Sequence, residues 1–139
     1  MKKNDSITKI MSTDVSMVQV GQPLSDVRKL MCAAHIHHVP IANGKKLVGL
    51  VSFTDLMKIN LLISGADERS IDSIIDQQFK VADIMTTSLI TINNKDTIRQ
   101  ASALLAKGSF HSLPVIDDEN NVVGIITSTD LINYLNDQY

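Results

Sequence analysis

Apolar residues recur along the chain in two rhythms, and the same succession of rhythms occurs twice. Leu24, Val27, Leu30, Met31 and Ala34 fall at three- and four-residue steps, as do Ile98, Ala101, Leu104 and Leu105, so each set predicts a helix with one apolar face. Pro23 stands at a natural first helical position, Asp96 is a good N-cap, and Gly108 supplies a stop for the second helix. After each helix come two short runs that predict strands. Residues 38–42 and 47–51 flank Asn43-Gly44, a two-residue hairpin signal in which both positions favour positive φ. Residues 112–116 and 122–127 flank the longer turn Asp117-Asp118-Glu119-Asn120. Brief extended stretches, 15–20 and 89–92, precede the two helices, and closing helices are expected from near Thr54 and Thr129.

The residues inside these elements repeat as well. Gly49-Leu50-Val51-Ser52-Phe53-Thr54-Asp55 matches Gly124-Ile125-Ile126-Thr127-Ser128-Thr129-Asp130. His37-His38-Val39-Pro40 matches His111-Ser112-Leu113-Pro114, and Ile10-Met11 matches Ile84-Met85. The spacing between copies is constant from Ile10 to Pro40 and grows by one residue from Gly49 onward, which the longer second turn absorbs. A repeat that keeps its order through such an insertion marks two copies of one supersecondary unit. Between them, Gly65 to Ser70 reads as a polar turn. Ile71, Ile74, Ile75 and Phe79 then have helical spacing, so the connector is expected to be a short amphipathic helix.

Composition narrows the function classes. The chain has 139 residues, 44% hydrophobic, with a formal charge of −2 and both signs interspersed, so no basic footprint points to nucleic acid. Lys2 and Lys3 are followed by no apolar run, and Leu61-Leu62-Ile63 is far too short to cross a membrane. One cysteine, Cys32, forms no internal disulfide, reads as a small core residue on the first helix, and suits a reducing, cytoplasmic setting. The first closing helix carries Leu56, Met57, Ile59, Leu61, Leu62 and Ile63, and the second Leu131, Ile132, Tyr134 and Leu135. That exceeds one buried stripe each, so a subunit interface is expected.

The matched polar residues carry two readings. Ser52 and Thr127 stand three residues before Asp55 and Asp130, the spacing of a capping box. Spacing alone favours a cap. The alternative is that the two carboxylates accept hydrogen bonds from a ligand diol, and the two roles can coexist. Thr54 and Thr129 belong to the same motifs, and backbone N–H groups at these helix starts would favour a phosphate nearby. His37 and His111 occupy equivalent positions and either pack at the start of a strand or face a ligand. His35 and His37 would share a face of an extended strand, but too few partners accompany them for a metal site, and none is expected. No nucleophile–base chain, paired acid/base carboxylates or glycine-rich phosphate loop is recognisable, so no catalytic residue is expected.

The order strand, helix, strand, strand, helix, with these three phrases in sequence, resembles the cystathionine-β-synthase (CBS) domain, and its doubling resembles the tandem CBS pair, or Bateman module. The resemblance covers nearly the whole chain. It implies an α/β (α+β) fold of two β-α-β-β-α repeats, 7–63 and 81–139, joined by a connector, 64–80, and packed with pseudo-two-fold symmetry as one module. It further implies a free-standing regulatory module, not an enzyme, needing no cofactor. The module would bind an adenosine compound (AMP, ADP, ATP or S-adenosylmethionine) and pair into a homodimer. A dimerisation or protein-interaction module without a nucleotide, with an unidentified protein target, is the alternative. By family position, Asp55 and Asp130 would hold the ribose, with Ser52 and Thr127 beside it. His37 and His111 would reach phosphate. His38 falls where many relatives carry Arg, whereas its counterpart Ser112 has no charge. The adenine would lie against Ser16-Met17 and Ile90-Thr91, with Ile36 and Phe110 nearby. The clefts are therefore expected to be unequal.

Overall fold

The computed structural model describes residues 5–62, 68–108 and 111–139, with the side chains of 60–62 and 68–69 outside the description. Contacts divide the chain into two compact units: Ser16–Leu89, called the central unit below, and Met1–Val15 with Ile90–Tyr139, called the terminal unit. The chain is mixed α/β, with two three-stranded sheets among the described residues.

In the central unit, β1 (Val18–Gln19) runs parallel to β2 (His38–Asn43), which pairs antiparallel with β3 (Lys46–Ser52). Helix α1 (Leu24–Ala34) joins β1 to β2 and buries Leu24, Val27 and Met31 with Val39, Ile41 and Val51. Ala34 and Cys32, both expected in the core, are exposed, because the apolar stripe of α1 is narrower than its composition. Pro23 is the N-cap residue, not the first helical one, and brings no side-chain cap. The cap comes from α3 (Glu68–Gln78). There Asp76 accepts from the Ser25 N–H (2.9 Å) and the buried Ser25 hydroxyl (2.6 Å). Arg28 pairs with Asp72 beside it at 2.9 Å. The connector thus contains the expected amphipathic helix, with Ile75 buried. It starts earlier than the sequence indicated, since 68–70 are already helical, and the rest of the expected turn, 65–67, lies outside the described residues.

The hairpin turn is one residue later than expected. Asn43 pairs with Lys46, so Gly44-Lys45 form the turn, and Gly44 takes the positive φ (+67°). The closing helix α2 (Phe53–Leu62) buries Leu56 and Ile59. A one-turn helix α4 (Val81–Ile84) then brings Met85 across β3. A Cβ on Gly49 would collide with the Met85 side chain, and Thr86 exchanges backbone hydrogen bonds with Leu50 (2.8 and 3.0 Å).

The terminal unit repeats this plan. Strand β4 (Ile92–Asn93) is parallel to β5 (Ser112–Ile116), which is antiparallel to β6 (Val122–Thr127). Helix α5 (Ile98–Leu105) is capped by Thr97 in a capping box with Gln100. Asp96, the expected cap, instead accepts from the Asn93 N–H at 3.0 Å. The N-terminal segment packs here. Ile7 is fully buried with Ile98, Leu113 and Ile126, Ser12 bridges Ile125 (2.9 Å both ways), and Met11 lies where a Cβ on Gly124 would sit. Each Ile-Met segment therefore covers the sheet of the other repeat. The closing helix α6 (Ser128–Asp137) leaves Ile132 62% and Leu135 41% exposed. The Tyr134 hydroxyl donates to Asp5 at 2.6 Å, and among the described residues no helix is long and apolar enough to cross a membrane.

Candidate functional site

Each repeat gathers its matched polar residues at one end of its sheet, and strand pairing is what gathers them. In the central unit, His38 is the register partner of Ser52, so the end of β3 meets the start of β2. The Phe53 N–H, first in α2, donates to the His37 carbonyl at 2.7 Å. Because β1 runs parallel to β2, with Val18 opposite Ile41, Ser16 and Met17 lie at this same end. In the terminal unit, Ser112 partners Thr127, the Ser128 N–H donates to the His111 carbonyl (2.9 Å), and Ile90 and Thr91 precede β4.

The helix starts then fix the carboxylates. Ser52 accepts from the Asp55 N–H (3.2 Å) while Asp55 Oδ2 accepts from the Ser52 N–H (3.1 Å). Thr127 and Asp130 form the same reciprocal pair at 3.1 and 2.9 Å. Two orphan donors of each helix end are satisfied this way, so the capping reading holds at both positions. It does not use up the groups. Each carboxylate employs only Oδ2, and the described residues make no hydrogen bond to Oδ1. The Ser52 and Thr127 oxygens accept the cap bond, which leaves each hydroxyl hydrogen to donate elsewhere. Both Asp residues are half-buried, Thr54 and Thr129 are exposed, and so are His37 and His111. Such a corner can both accept from and donate to a hydroxyl-rich ligand.

The neighbouring residues differ between copies. In the central unit the Phe53 ring stacks on the His37 ring (centroids 5.4 Å, planes at 28°), a contact the repeat pattern did not reveal. In the terminal unit Ser128 replaces the ring, and its hydroxyl donates to the His111 carbonyl at 3.4 Å. Ile90 is 51% exposed, so at this position the terminal unit presents apolar surface. His35 does not share a strand face with His37. It ends α1 in the left-handed region (φ +53°), outside β2. Among the described residues no three His, Cys, Asp or Glu side chains gather as a metal site. Phe110, expected near the base, lies outside the described residues.

Comparison with known proteins gives the family and the fold. Residues 7–61 and 81–137 each match the CBS domain. The Arabidopsis thaliana CBS-pair protein CBSX2, in a structure with AMP, superposes with a TM-score of 0.79 at 21% identity, covering 96% of this chain and 98% of that one. The CBS domain pair of protein MJ0100, in complex with 5′-methylthioadenosine and S-adenosyl-L-methionine, gives 0.75 at 23%, with the same two coverages. At these identities the structures establish the fold. A homoserine O-acetyltransferase of Methanocorpusculum labreanum is 29% identical over 91% of this chain, which covers 23% of that protein. The chain spans between 23% and 48% of the length of the first curated relatives it matches.

Proposed function

Since the chain belongs to the CBS domain family, we propose that it is a non-catalytic regulatory module that binds an adenosine-containing ligand at the two capped sheet ends. The observation that carries this reading is the duplicated cap, in which Asp55 and Asp130 each accept through Oδ2, leaving Oδ1 without a hydrogen bond among the described residues, beside a hydroxyl able to donate. Oδ1 would accept from a ribose hydroxyl, a charge-assisted bond stronger than a neutral one. Ser16-Met17 and Ile90-Thr91 would lie along the base, while His37, His38, His111 and Ser112 would face the 5′ substituent. Thr54 and Thr129, exposed in the first turns, would stand beside the same groups. AMP, ADP, ATP and S-adenosylmethionine share the adenosine these groups would recognise, and the related structures hold AMP or S-adenosylmethionine. Binding would regulate by favouring one arrangement of the module or of a protein target, to the extent that affinity differs between the two states. A cytoplasmic setting suits the single cysteine.

Thermal-shift and calorimetric titration with these four compounds tests the proposal. A saturable shift with at least one supports it, and no response to any overturns it. A homodimer is proposed alongside, on the exposed apolar side chains Met57 (43%), Ile132 (62%) and Leu135 (41%). Sedimentation at micromolar concentration should give a dimer. A monomer would remove this part of the reading and leave the ligand sites standing.

A further inference from the structure

The two copies share their caps and differ in what holds the histidine ring. His37 is exposed, yet its imidazole stacks on Phe53, the first residue of α2. His111 is exposed too, but Ser128 offers it a hydroxyl bound to its backbone carbonyl, and among the described residues no ring faces its imidazole. An unstacked surface ring must be ordered before it can bind, at the cost of its rotamer freedom, whereas a stacked ring has met that cost already. What a fixed imidazole adds to a nucleoside site is an N–H donor for an acidic oxygen.

We infer that Phe53 is a positioning residue that presets His37, so that the central-unit site discriminates more strongly than the terminal-unit site between a nucleoside carrying an anionic group and the same nucleoside without it. This rests on the ligand reading proposed above. Phe53 acts through His37 and needs no contact of its own with the ligand.

The test is calorimetric titration of AMP and of adenosine into the wild type, Phe53→Ser and Phe53→Tyr. Serine already occupies the matching position of α6, so the replacement suits a helix start. Phe53→Ser is expected to weaken AMP binding at one class of sites by roughly two- to tenfold, the ordering cost of one side chain, and to leave adenosine unchanged. Phe53→Tyr, which keeps the ring, is expected to restore the wild-type ratio. An equal loss for AMP and adenosine would overturn the inference, since Phe53 would then serve the nucleoside or the fold, and so would an unchanged AMP-to-adenosine ratio. A wild type that binds neither compound overturns the inference, and the ligand proposal falls with it only if ADP, ATP and S-adenosylmethionine also give no response.

Discussion

Asp55 and Asp130 hold a helix and face solvent with the same side chain, and substitution can separate the two roles. Asparagine keeps a carbonyl oxygen for the backbone N–H, whereas alanine removes it. Asp55→Ala is expected to lower stability by about 1 kcal/mol, the usual net size of one lost hydrogen bond, and to weaken ligand binding. Asp55→Asn should keep most of that stability and still weaken binding, because the charge is gone. Urea denaturation and calorimetry on both variants read the two effects independently. At this scale the sequence was informative where a short motif closes its own hydrogen bonds. Ser52-x-x-Asp55 and Thr127-x-x-Asp130 announced their caps. Local spacing misled at Cys32, which sits at the margin of the α1 stripe and turns outward, and at His35, whose left-handed backbone ends the helix before any strand begins. The Phe53–His37 stack follows from backbone pairing between β2 and β3, which no spacing rule encodes.

Among the elements, the most specific fit is a methionine against a glycine. Gly49→Ala would drive a Cβ into Met85, with Cγ at 2.7 Å and Cβ at 3.0 Å. Gly124→Ala would meet both Met11 Sδ (2.8 Å) and the Ser12 carbonyl oxygen (2.9 Å). Both are expected to destabilise by about 1–3 kcal/mol, the usual range for overpacking. The rescue should differ. Met85→Ala should recover much of the loss in Gly49→Ala. Met11→Ala should recover little in Gly124→Ala, where a backbone oxygen tied into the Ser12–Ile125 bridge still stands in the way. Melting temperatures of the four variants and two doubles check this. Helices and strands were legible in the repeated rhythms, but their ends were less so. Thr97 outcompetes Asp96 as the cap because Gln100 completes its box. Helix α1 has no cap in its own sequence and takes one from Asp76 on a distant helix. The register of the Asn43-Gly44 hairpin shifted by one for a related reason, since pairing across β2 and β3 decides which residue turns.

For the whole molecule, the repeat boundaries seen in sequence and the compact units seen in contacts do not coincide. Ile10-Met11 belongs to the first repeat but packs on the sheet of the second, and Ile84-Met85 belongs to the second but packs on the sheet of the first. Nothing in a repeat pattern distinguishes the two choices, because the two sheets offer nearly the same surface. Ile7→Ala is therefore expected to weaken the terminal unit, by about 2–5 kcal/mol for a fully buried isoleucine. Hydrogen exchange should quicken at β5 and β6 and not at β2 and β3, although Ile7 belongs to the first repeat in sequence. The same N-terminal tie confers a pH dependence. The hydrogen bond to Asp5, then burial and the Asp5 charge, raise the Tyr134 pKa above its ordinary value. The contribution is fully present below the ordinary phenol range and is lost as pH rises through the raised value. Tyr134→Phe should flatten the alkaline fall in stability, followed by urea denaturation from neutral pH to above about 10.

In the proposed function the carboxylates of both caps bind an adenosine compound. Calorimetric titration of AMP into the wild type and into the Asp55→Asn/Asp130→Asn double variant tests this most directly, with melting temperature as the control for folding. The expected result is saturable heat in the wild type, its loss in the double variant, and closely similar melting temperatures. Equal binding by both proteins would contradict the claim and leave Asp55 and Asp130 as helix caps alone.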